Sequence, residues 1–337
     1  MTDSIKAKLQ PLFTESLLQV DYLNPQQDNT NNAYLVTTAN EKIYVVKALK
    51  DSNINRTPFW QGLNLLFKKN ITDSIHSQAA IAEFLNKLQI IAAPTVIQTD
   101  YSTNNSLQTP YVIMTKAEGQ PILPGSDIAA EVTKNKDIAY QLGLFLSKVH
   151  EQQFDYFGNM SDKGVPLKEF PNALAETMRK LATNRKAQQD PEVQKLLPHY
   201  CALAREMQPP TSAGIIMLDL WPQQFLLGDN ALSALIDLES YVIGPVGLEL
   251  VLIELWLGPL DKFKEGYFST GTKWPNFEAD RDLYRFFLYL LYGCPDEGLT
   301  ACLDSRAKFA QGDRVSSRVL MPRPRPGGYS NPSGPGF

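Results

Sequence analysis

The feature that most constrains the fold is a change in hydrophobic periodicity near residue 118. Before that point, short runs rich in Val, Ile, Tyr and Thr are bounded by Asn, Asp, Gly and Pro, a pattern typical of β-strands. These runs are residues 17–23, 32–38, 42–49, 93–100 and 110–117. Helical spacing occurs at 58–69 and 74–90, and it dominates the chain from 135–154 onwards. The sequence therefore predicts an α+β protein.

The same change predicts the domain organisation. We expect residues 1–117 to form a small β-rich lobe and residues 118–311 to form a larger helical lobe. Residues 312–337 are predicted to be a disordered tail, because its last part, 322–337, contains five Pro and four Gly. A segment of that composition has too little apolar surface to contribute to a core.

Composition narrows the range of functions. The chain has 337 residues, 43% of them hydrophobic and 20% charged, which suits a soluble globular protein. Its net charge of -4 argues against a nucleic-acid partner. The apolar stretch 242–260 contains Glu249 and Glu254, which are costly in lipid, so we expect no membrane partner. Three widely spaced cysteines read as free thiols in a reducing compartment, and we expect a cytoplasmic protein.

One segment of the helical part carries paired acidic residues. The stretch MLDLWPQQFLLGDNALSALIDLES places Asp219 and Asp237 on either side of two apolar runs joined by the turn signal GDN, which predicts a hairpin. Much earlier, Lys47 lies in the alternating strand pattern YVVKAL. This order of elements resembles the aminoglycoside phosphotransferase and choline kinase family over about residues 15–310. The resemblance implies a bilobal, protein-kinase-like fold.

The resemblance is incomplete in the catalytic loop. In that family the loop typically reads His-Gly-Asp, then four residues, then Asn, and a metal-binding Asp follows in an Ile-Asp-x-Glu/Asp strand. The corresponding residues here are Met217, Leu218, Asp219 and Gln224, followed by Asp237 in IDLES. Both aspartates match the family, whereas the His, the Gly and the Asn are replaced.

The resemblance implies phosphoryl transfer from ATP with Mg²⁺ to a hydroxyl group. Asp219 would accept a hydrogen bond from the acceptor hydroxyl and take its proton. Asp237 would hold Mg²⁺, and Gln224 offers the same type of amide oxygen as the Asn it replaces. Met217 would organise the loop by packing where the family uses a His.

Lys47 would bind the nucleotide phosphates and pair with an acidic residue on the following helix. Glu83 is the only acid in 74–90, so we predict that it is this partner. The spacing usual in the family points instead to the neighbourhood of Gln78, which carries no charge.

Backbone and amide groups complete the predicted nucleotide site. Residues 24–34 form the turn between the first two strands, which would cover the phosphates, and Asn31 and Asn32 in this turn would supply hydrogen-bond donors. The strand that joins the lobes would bind adenine through its backbone between Thr115 and Ala117. Gly119 would let the chain turn into the helical lobe.

Several acids fall in the region that lines the acceptor cleft of such kinases. We assign acceptor binding to Glu239, Glu249 and Asp261, with Glu254 and Glu265 in the same region. An acidic cleft would suit a small cationic acceptor such as an amino sugar or an amino alcohol. Alternatively, Glu249 replaces a structural Asp of the family.

Two other functions remain open from the sequence. The replaced His, Gly and Asn favour a catalytically impaired kinase-like protein that binds a nucleotide or a partner. The DLW that begins at Asp219 favours a fructosamine-kinase-like enzyme. The retained Lys47, Asp219 and Asp237 favour an active small-molecule kinase. The oligomeric state stays open.

Overall fold

The computed structural model describes nine ranges: 2–23, 30–50, 57–121, 136–160, 164–220, 224–229, 231–257, 261–296 and 298–304. The predicted disordered tail, most of the predicted phosphate-covering turn and residues Trp221 and Pro222, between Asp219 and Gln224, lie outside the described residues.

The sheet-rich part contains α1 (Thr2–Leu9), β1 (Leu17–Leu23), β2 (Asn31–Thr38), β3 (Ile43–Leu49), α2 (Pro58–Phe67), α3 (Ile71–Leu88), β4 (Val96–Asp100) and β5 (Tyr111–Thr115). The strands form one antiparallel sheet in the order β1-β2-β3-β5-β4. All five strands and both later helices were predicted from the sequence, whereas α1 was not. The capping box at Asn70 fixes the start of α3, because its side chain accepts from the Asp73 backbone at 3.0 Å.

Alternation along β3 gives the sheet two different faces. Val46 packs with residues of α1, β1 and β2, while Val45 lies on the opposite face against Ile75 of α3. Because neighbouring strand residues point to opposite faces, Lys47 lies on the same face as Val45, towards α3.

The second part is mainly helical. Its elements are β6 (Gln120–Pro121), α4 (Lys136–His150), β7 (Tyr156–Phe157), β8 (Val165–Pro166), α5 (Phe170–Leu181), α6 (Arg185–Gln189), α7 (Pro191–Glu206), β9 (Gly214–Met217), β10 (Phe225–Leu227), β11 (Leu232–Leu235), β12 (Tyr241–Gly244), α8 (Val246–Trp256), α9 (Asp261–Phe268), α10 (Arg281–Leu291) and α11 (Leu299–Leu303). The large apolar core of this part also takes in the buried face of α2. The α+β prediction is confirmed.

Helices α4 and α9 approach each other closely at two glycines. A Cβ on Gly143 would lie 2.0 Å from the Phe263 carbonyl oxygen, and a Cβ on Gly266 would lie 2.0 Å from that of Tyr140. Within the described ranges, no helix combines the length and the apolar character needed to cross a membrane.

Candidate active site

Two connecting segments run between the same pair of small β-ladders. Residues 218–224 connect β9 to β10, and residues 236–240 connect β11 to β12. β9 pairs with β12, and β10 pairs with β11. The Ile236 N–H donates to the Gln224 carbonyl at 2.8 Å. The segments predicted to hold the catalytic and the metal-binding aspartates are therefore neighbours.

Lys47 reaches across from the sheet to the second segment. The Lys47 ammonium lies 3.2 Å from Asp237 Oδ1 and 3.4 Å from Glu239 Oε1. Asn31 Nδ2 donates to the same Glu239 oxygen at 2.7 Å. The lysine and Glu239 are largely shielded from water, whereas 32% of the Asp237 side chain is exposed. The structure thus brings three predicted site residues, Asn31, Lys47 and Asp237, together with Glu239 across at least 190 residues of the chain.

A second lysine lies buried beside this group. Lys69 is 1% exposed, and its ammonium donates to Ser77 Oγ at 3.0 Å and to the Tyr241 carbonyl at 2.9 Å. Burial lowers the pKa of Lys69 to about 7, while the charges of Glu239 and Asp73 act in the opposite direction. Lys69 therefore ties the chain before α3 to the start of β12.

Gln224 and Asp237 provide the oxygen atoms that a magnesium ion favours. Gln224 is buried, and its Oε1 lacks a hydrogen-bond partner among the described residues. The Asp237 carboxylate lies on the adjacent segment and is partly exposed. No group of three or more His, Cys, Asp or Glu that could hold a metal ion occurs in the part of the chain that the structure describes. One carboxylate and one amide fit Mg²⁺, which keeps water and phosphate oxygens as its other ligands.

The backbone on the N-terminal side of Asp219 is fixed by two hydrogen bonds, one of them buried and the other partly buried. The Met217 N–H donates to Glu249 Oε1 at 2.6 Å. The Leu218 carbonyl accepts a hydrogen bond from the Tyr292 hydroxyl. Burial, and then the negative charge of Asp219, raise the pKa of Tyr292 far above its ordinary value, so the hydroxyl remains a donor. Met217 itself is buried, as the packing prediction required.

Glu249 is a structural residue rather than an acceptor-binding one. It is fully buried, and its second carboxylate oxygen lies 2.6 Å from His150 Nε2. The other ring nitrogen of His150 lies 2.9 Å from the Tyr267 hydroxyl. The acceptor-binding prediction for Glu249 is therefore corrected in favour of the structural alternative. Glu254 is also fully buried and pairs with Arg281 at 2.9 Å.

Glu239 also departs from its predicted role. Its carboxylate is buried against Lys47 and Asn31 on the nucleotide side, so it does not form part of an acidic acceptor cleft. Asp261 begins α9 with an exposed side chain, and its acceptor role stays a prediction.

The structure does not bring Glu83 or the Asn32 side chain to the site. Glu83 is 69% exposed and pairs with Lys87 at 2.7 Å, because it lies on the outer side of α3. Asn32 Oδ1 accepts from Tyr22 at 2.5 Å. Residues of β2 alternate, so Asn31 and Asn32 lie on opposite faces and only Asn31 faces Glu239.

The predicted adenine-binding strand ends at Thr115. The Thr115 N–H donates to the Thr95 carbonyl at 2.9 Å, so this donor serves the sheet. Ala117 follows, partly exposed, and remains the predicted backbone contact. Gly119 has φ of 128°, and a Cβ there would lie 2.2 Å from Ser233 Oγ, which explains the glycine in the turn.

Sequence reasoning missed two residues of the site. Lys69 follows Lys68 in a polar stretch and resembles a surface lysine, while Tyr292 ends an apolar helix. Both act through contacts with distant parts of the chain, which no local pattern signals.

Comparison with known proteins identifies the family of the chain. A sequence profile of the phosphotransferase enzyme family (APH) matches residues 22–280. No curated protein sequence matches the chain.

Several solved structures share the fold. A putative fructosamine-3-kinase from Haemophilus somnus 129PT has a TM-score of 0.58 at 12% identity, covering 90% of this chain and 94% of that one. The choline kinase from Streptococcus pneumoniae has a TM-score of 0.56 at 16% identity, covering 93% and 92%. The macrolide 2′-phosphotransferase from Brachybacterium faecium has a TM-score of 0.54 at 12% identity, covering 93% and 100%.

The structural likeness confirms the predicted bilobal, kinase-like fold, and the family match extends over most of the chain. The chain therefore belongs to the phosphotransferase enzyme family and is a phosphotransferase of the small-molecule kinase type.

Proposed function

We propose that the protein transfers the γ-phosphate of ATP, with Mg²⁺, to a hydroxyl group of a small molecule. The observation that carries the proposal is the 3.2 Å contact between Lys47 and Asp237, which are 190 residues apart. Phosphoryl transfer depends mainly on positioning and on neutralising charge. Beside the loop of Asp219, the lysine would position the phosphates and neutralise their charge, and the carboxylate would hold the Mg²⁺ that does the same.

Each residue then has a distinct task. Lys47 binds nucleotide phosphate oxygens through its ammonium group. Asp219 orients the acceptor hydroxyl and accepts its proton. Tyr292 and Glu249 hold the backbone that carries Asp219 in place. The backbone at Ala117 contacts adenine.

Asp237 and the amide oxygen of Gln224 would hold Mg²⁺. When bound, the ion neutralises negative charge on the nucleotide phosphates. The fit rests on the unpartnered Gln224 Oε1 in the described part of the chain and on the partly exposed Asp237 carboxylate.

The acceptor is a small molecule with a free hydroxyl group. Burial of Glu239, Glu249 and Glu254 removes most of the acids that favoured a cationic acceptor, so positive charge is not a requirement of the proposal. The three cysteines are buried as free thiols, and burial raises the pKa of Cys294 and Cys302 to about 12, which disfavours a thiol nucleophile. Free thiols also support a reducing, cytoplasmic location.

Calorimetry tests the nucleotide half of the proposal. We expect ATP to bind in the presence of Mg²⁺ and to bind more weakly without it. A protein that shows no binding at millimolar ATP with Mg²⁺ is not an ATP-dependent kinase.

A phosphorylation screen tests the catalytic half. Wild type and Asp219→Asn are incubated with Mg·ATP and a panel of amino sugars, macrolides, amino alcohols and glycated amines, and products are read by mass spectrometry. We expect one class to be phosphorylated by wild type and a rate roughly 10²–10⁴-fold lower in the variant. Binding of Mg·ATP without any product would favour the impaired kinase-like alternative, and an unchanged rate in Asp219→Asn would refute the role of Asp219.

A further inference from the structure

We propose that Glu239 is the positioning carboxylate of Lys47, a task that a residue of α3 was expected to perform. This inference rests on the proposed function, because it takes Lys47 to be the residue that binds the nucleotide phosphates. It concerns how the lysine is aimed, and it assigns Glu239 no contact with the acceptor.

The first support is the geometry around the Glu239 carboxylate. One oxygen accepts from Lys47 at 3.4 Å and from Asn31 at 2.7 Å. The glutamate side chain is 9% exposed and that of the lysine is 11% exposed, so solvent screens their attraction little. Hydrogen bonds to an ionised group are stronger than hydrogen bonds between two neutral groups. Glu239 thereby fixes two side chains from adjacent strands of the sheet.

The second support is what α3 presents to the same face of the sheet. Lys47 points towards the face on which Ile75 packs, and Gln78 lies one turn further along α3. Gln78 is 1% exposed, and neither Nε2 nor Oε1 has a hydrogen-bond partner among the described residues. The acid of α3 that sequence favoured, Glu83, is exposed and pairs with Lys87. The helix thus offers a neutral amide on its buried face.

The third support is the position of Glu239 in the chain. It follows Asp237 by two residues in the segment that leads into β12. Lys69 secures the end of this segment through the Tyr241 carbonyl at 2.9 Å. One short, anchored segment therefore supplies two carboxylates that contact Lys47.

The two carboxylates differ in exposure, and this difference separates their tasks. Asp237 is 32% exposed and available to a metal ion, whereas Glu239 is 9% exposed and enclosed by its partners from the sheet. Glu239 keeps the lysine aimed while Asp237 serves the metal. Lys47 is thus positioned by the helical lobe, which also carries Asp219.

A double-mutant cycle on nucleotide binding tests the inference without knowledge of the acceptor. Dissociation constants for Mg·ATP are measured by calorimetry for wild type, Glu239→Gln, Lys47→Met and the double variant. Losing a hydrogen bond to a charged group weakens binding about 10- to 100-fold, which we expect for Glu239→Gln. Because Glu239 acts through Lys47, adding Glu239→Gln to Lys47→Met should cause no further loss.

The matched control is Glu83→Gln, which makes the same chemical change on α3 and should leave the dissociation constant unchanged. Glu239→Asp keeps the charge on a shorter stem and should fall between wild type and Glu239→Gln. If Glu239→Gln lowers the melting temperature enough to obscure the measurement, the Asp variant carries the cycle.

The outcomes separate this inference from the proposed function. A wild type that binds no Mg·ATP contradicts the proposed function itself. A wild type that binds while Glu239→Gln binds equally well overturns the role of Glu239. Equal losses from the glutamate substitution in the wild-type and Lys47→Met backgrounds overturn it too, because an effect independent of Lys47 is merely structural.

Discussion

The two sides of the active site are held together in different ways. On the nucleotide side, charged groups from the sheet and from the helical part meet directly, as Lys47 does with Asp237 and Glu239. On the catalytic side, the backbone before Asp219 is bound by Glu249 and Tyr292, both from the helical part. The first side joins two parts of the molecule, whereas the second lies within one.

The difference indicates which side can respond to a ligand. The Asp237 partner of Lys47 is 32% exposed, so an arriving ligand can rearrange this ion pair at a modest cost. Buried hydrogen bonds to backbone groups are costly to break, since each unsatisfied partner loses its solvation. We therefore expect substitutions on the catalytic side to affect folding or turnover, and substitutions on the nucleotide side to affect ligand binding.

The largest effect is expected from Glu249→Ala. This change leaves the Met217 N–H and His150 without their buried partner, and it creates a cavity. Removing one member of a buried charged network typically costs about 3–5 kcal/mol. Urea unfolding should show a loss of this size. The control is Glu151→Ala, which removes an exposed glutamate that pairs with Lys148, three residues earlier in the chain. It should change the free energy of unfolding by less than about 1 kcal/mol. Similar losses in both variants would contradict the structural role of Glu249.

Some residues on the two sides of the active site could be predicted from the sequence, and others could not. Strand alternation and motif order were sufficient for Lys47 and Asp237, since both signals are local. Glu83 failed because it was chosen as the only acid in 74–90, although it lies off the buried stripe of the helix. The prediction for Asn32 failed because neighbouring residues of a strand point to opposite faces of the sheet. The sequence did not show which residues of β2 share a face with Lys47. Tyr292 had no signal, because its contact with Leu218 joins elements 74 residues apart.

The second prediction concerns the buried lysine beside the nucleotide side. The pKa of Lys69 is lowered from 10.5 to about 7 by burial. Between pH 7 and 10.5 the unfolded chain therefore binds this proton while the folded protein releases it, so the Lys69 contribution makes stability rise with pH. The cost of burying the charge is fully present below pH 7.

Comparing wild type with Lys69→Met isolates this contribution. The free energy of unfolding of wild type should rise by about 2 kcal/mol more than that of the variant from pH 7 to 9. The adjacent, exposed Lys68 gives the matched control, and Lys68→Met should follow wild type. Parallel pH profiles for wild type and Lys69→Met would show that the lysine stays charged throughout.

The third prediction returns to the catalytic side. Tyr292→Phe removes the donor to the Leu218 carbonyl and loosens the loop that carries Asp219. Loss of one such hydrogen bond costs about 1–2 kcal/mol, so turnover should fall by roughly 5- to 30-fold. The dissociation constant for Mg·ATP should stay the same.

Tyr289→Phe, on the helix that Tyr292 follows, is the control. Its hydroxyl donates to Asp190 at 2.9 Å, at the start of α7, so this variant should keep its turnover. Equal turnover in wild type and Tyr292→Phe would show that packing alone organises the loop.

The smallest effect is expected from Gln224, which lies where the two sides meet. Its backbone carbonyl binds Ile236 N–H in either variant, so only the amide oxygen changes. Because a neutral amide is one ligand among several and Asp237 carries the charge, Gln224→Leu should weaken Mn²⁺ binding in the presence of ATP by about three- to tenfold. Gln224→Asn keeps an amide oxygen and should bind Mn²⁺ almost as wild type does. Electron paramagnetic resonance of free Mn²⁺ measures both without any acceptor. If the Leu and Asn variants bind the ion equally, the Gln224 side chain is not a metal ligand, and only groups on the nucleotide side bind the metal.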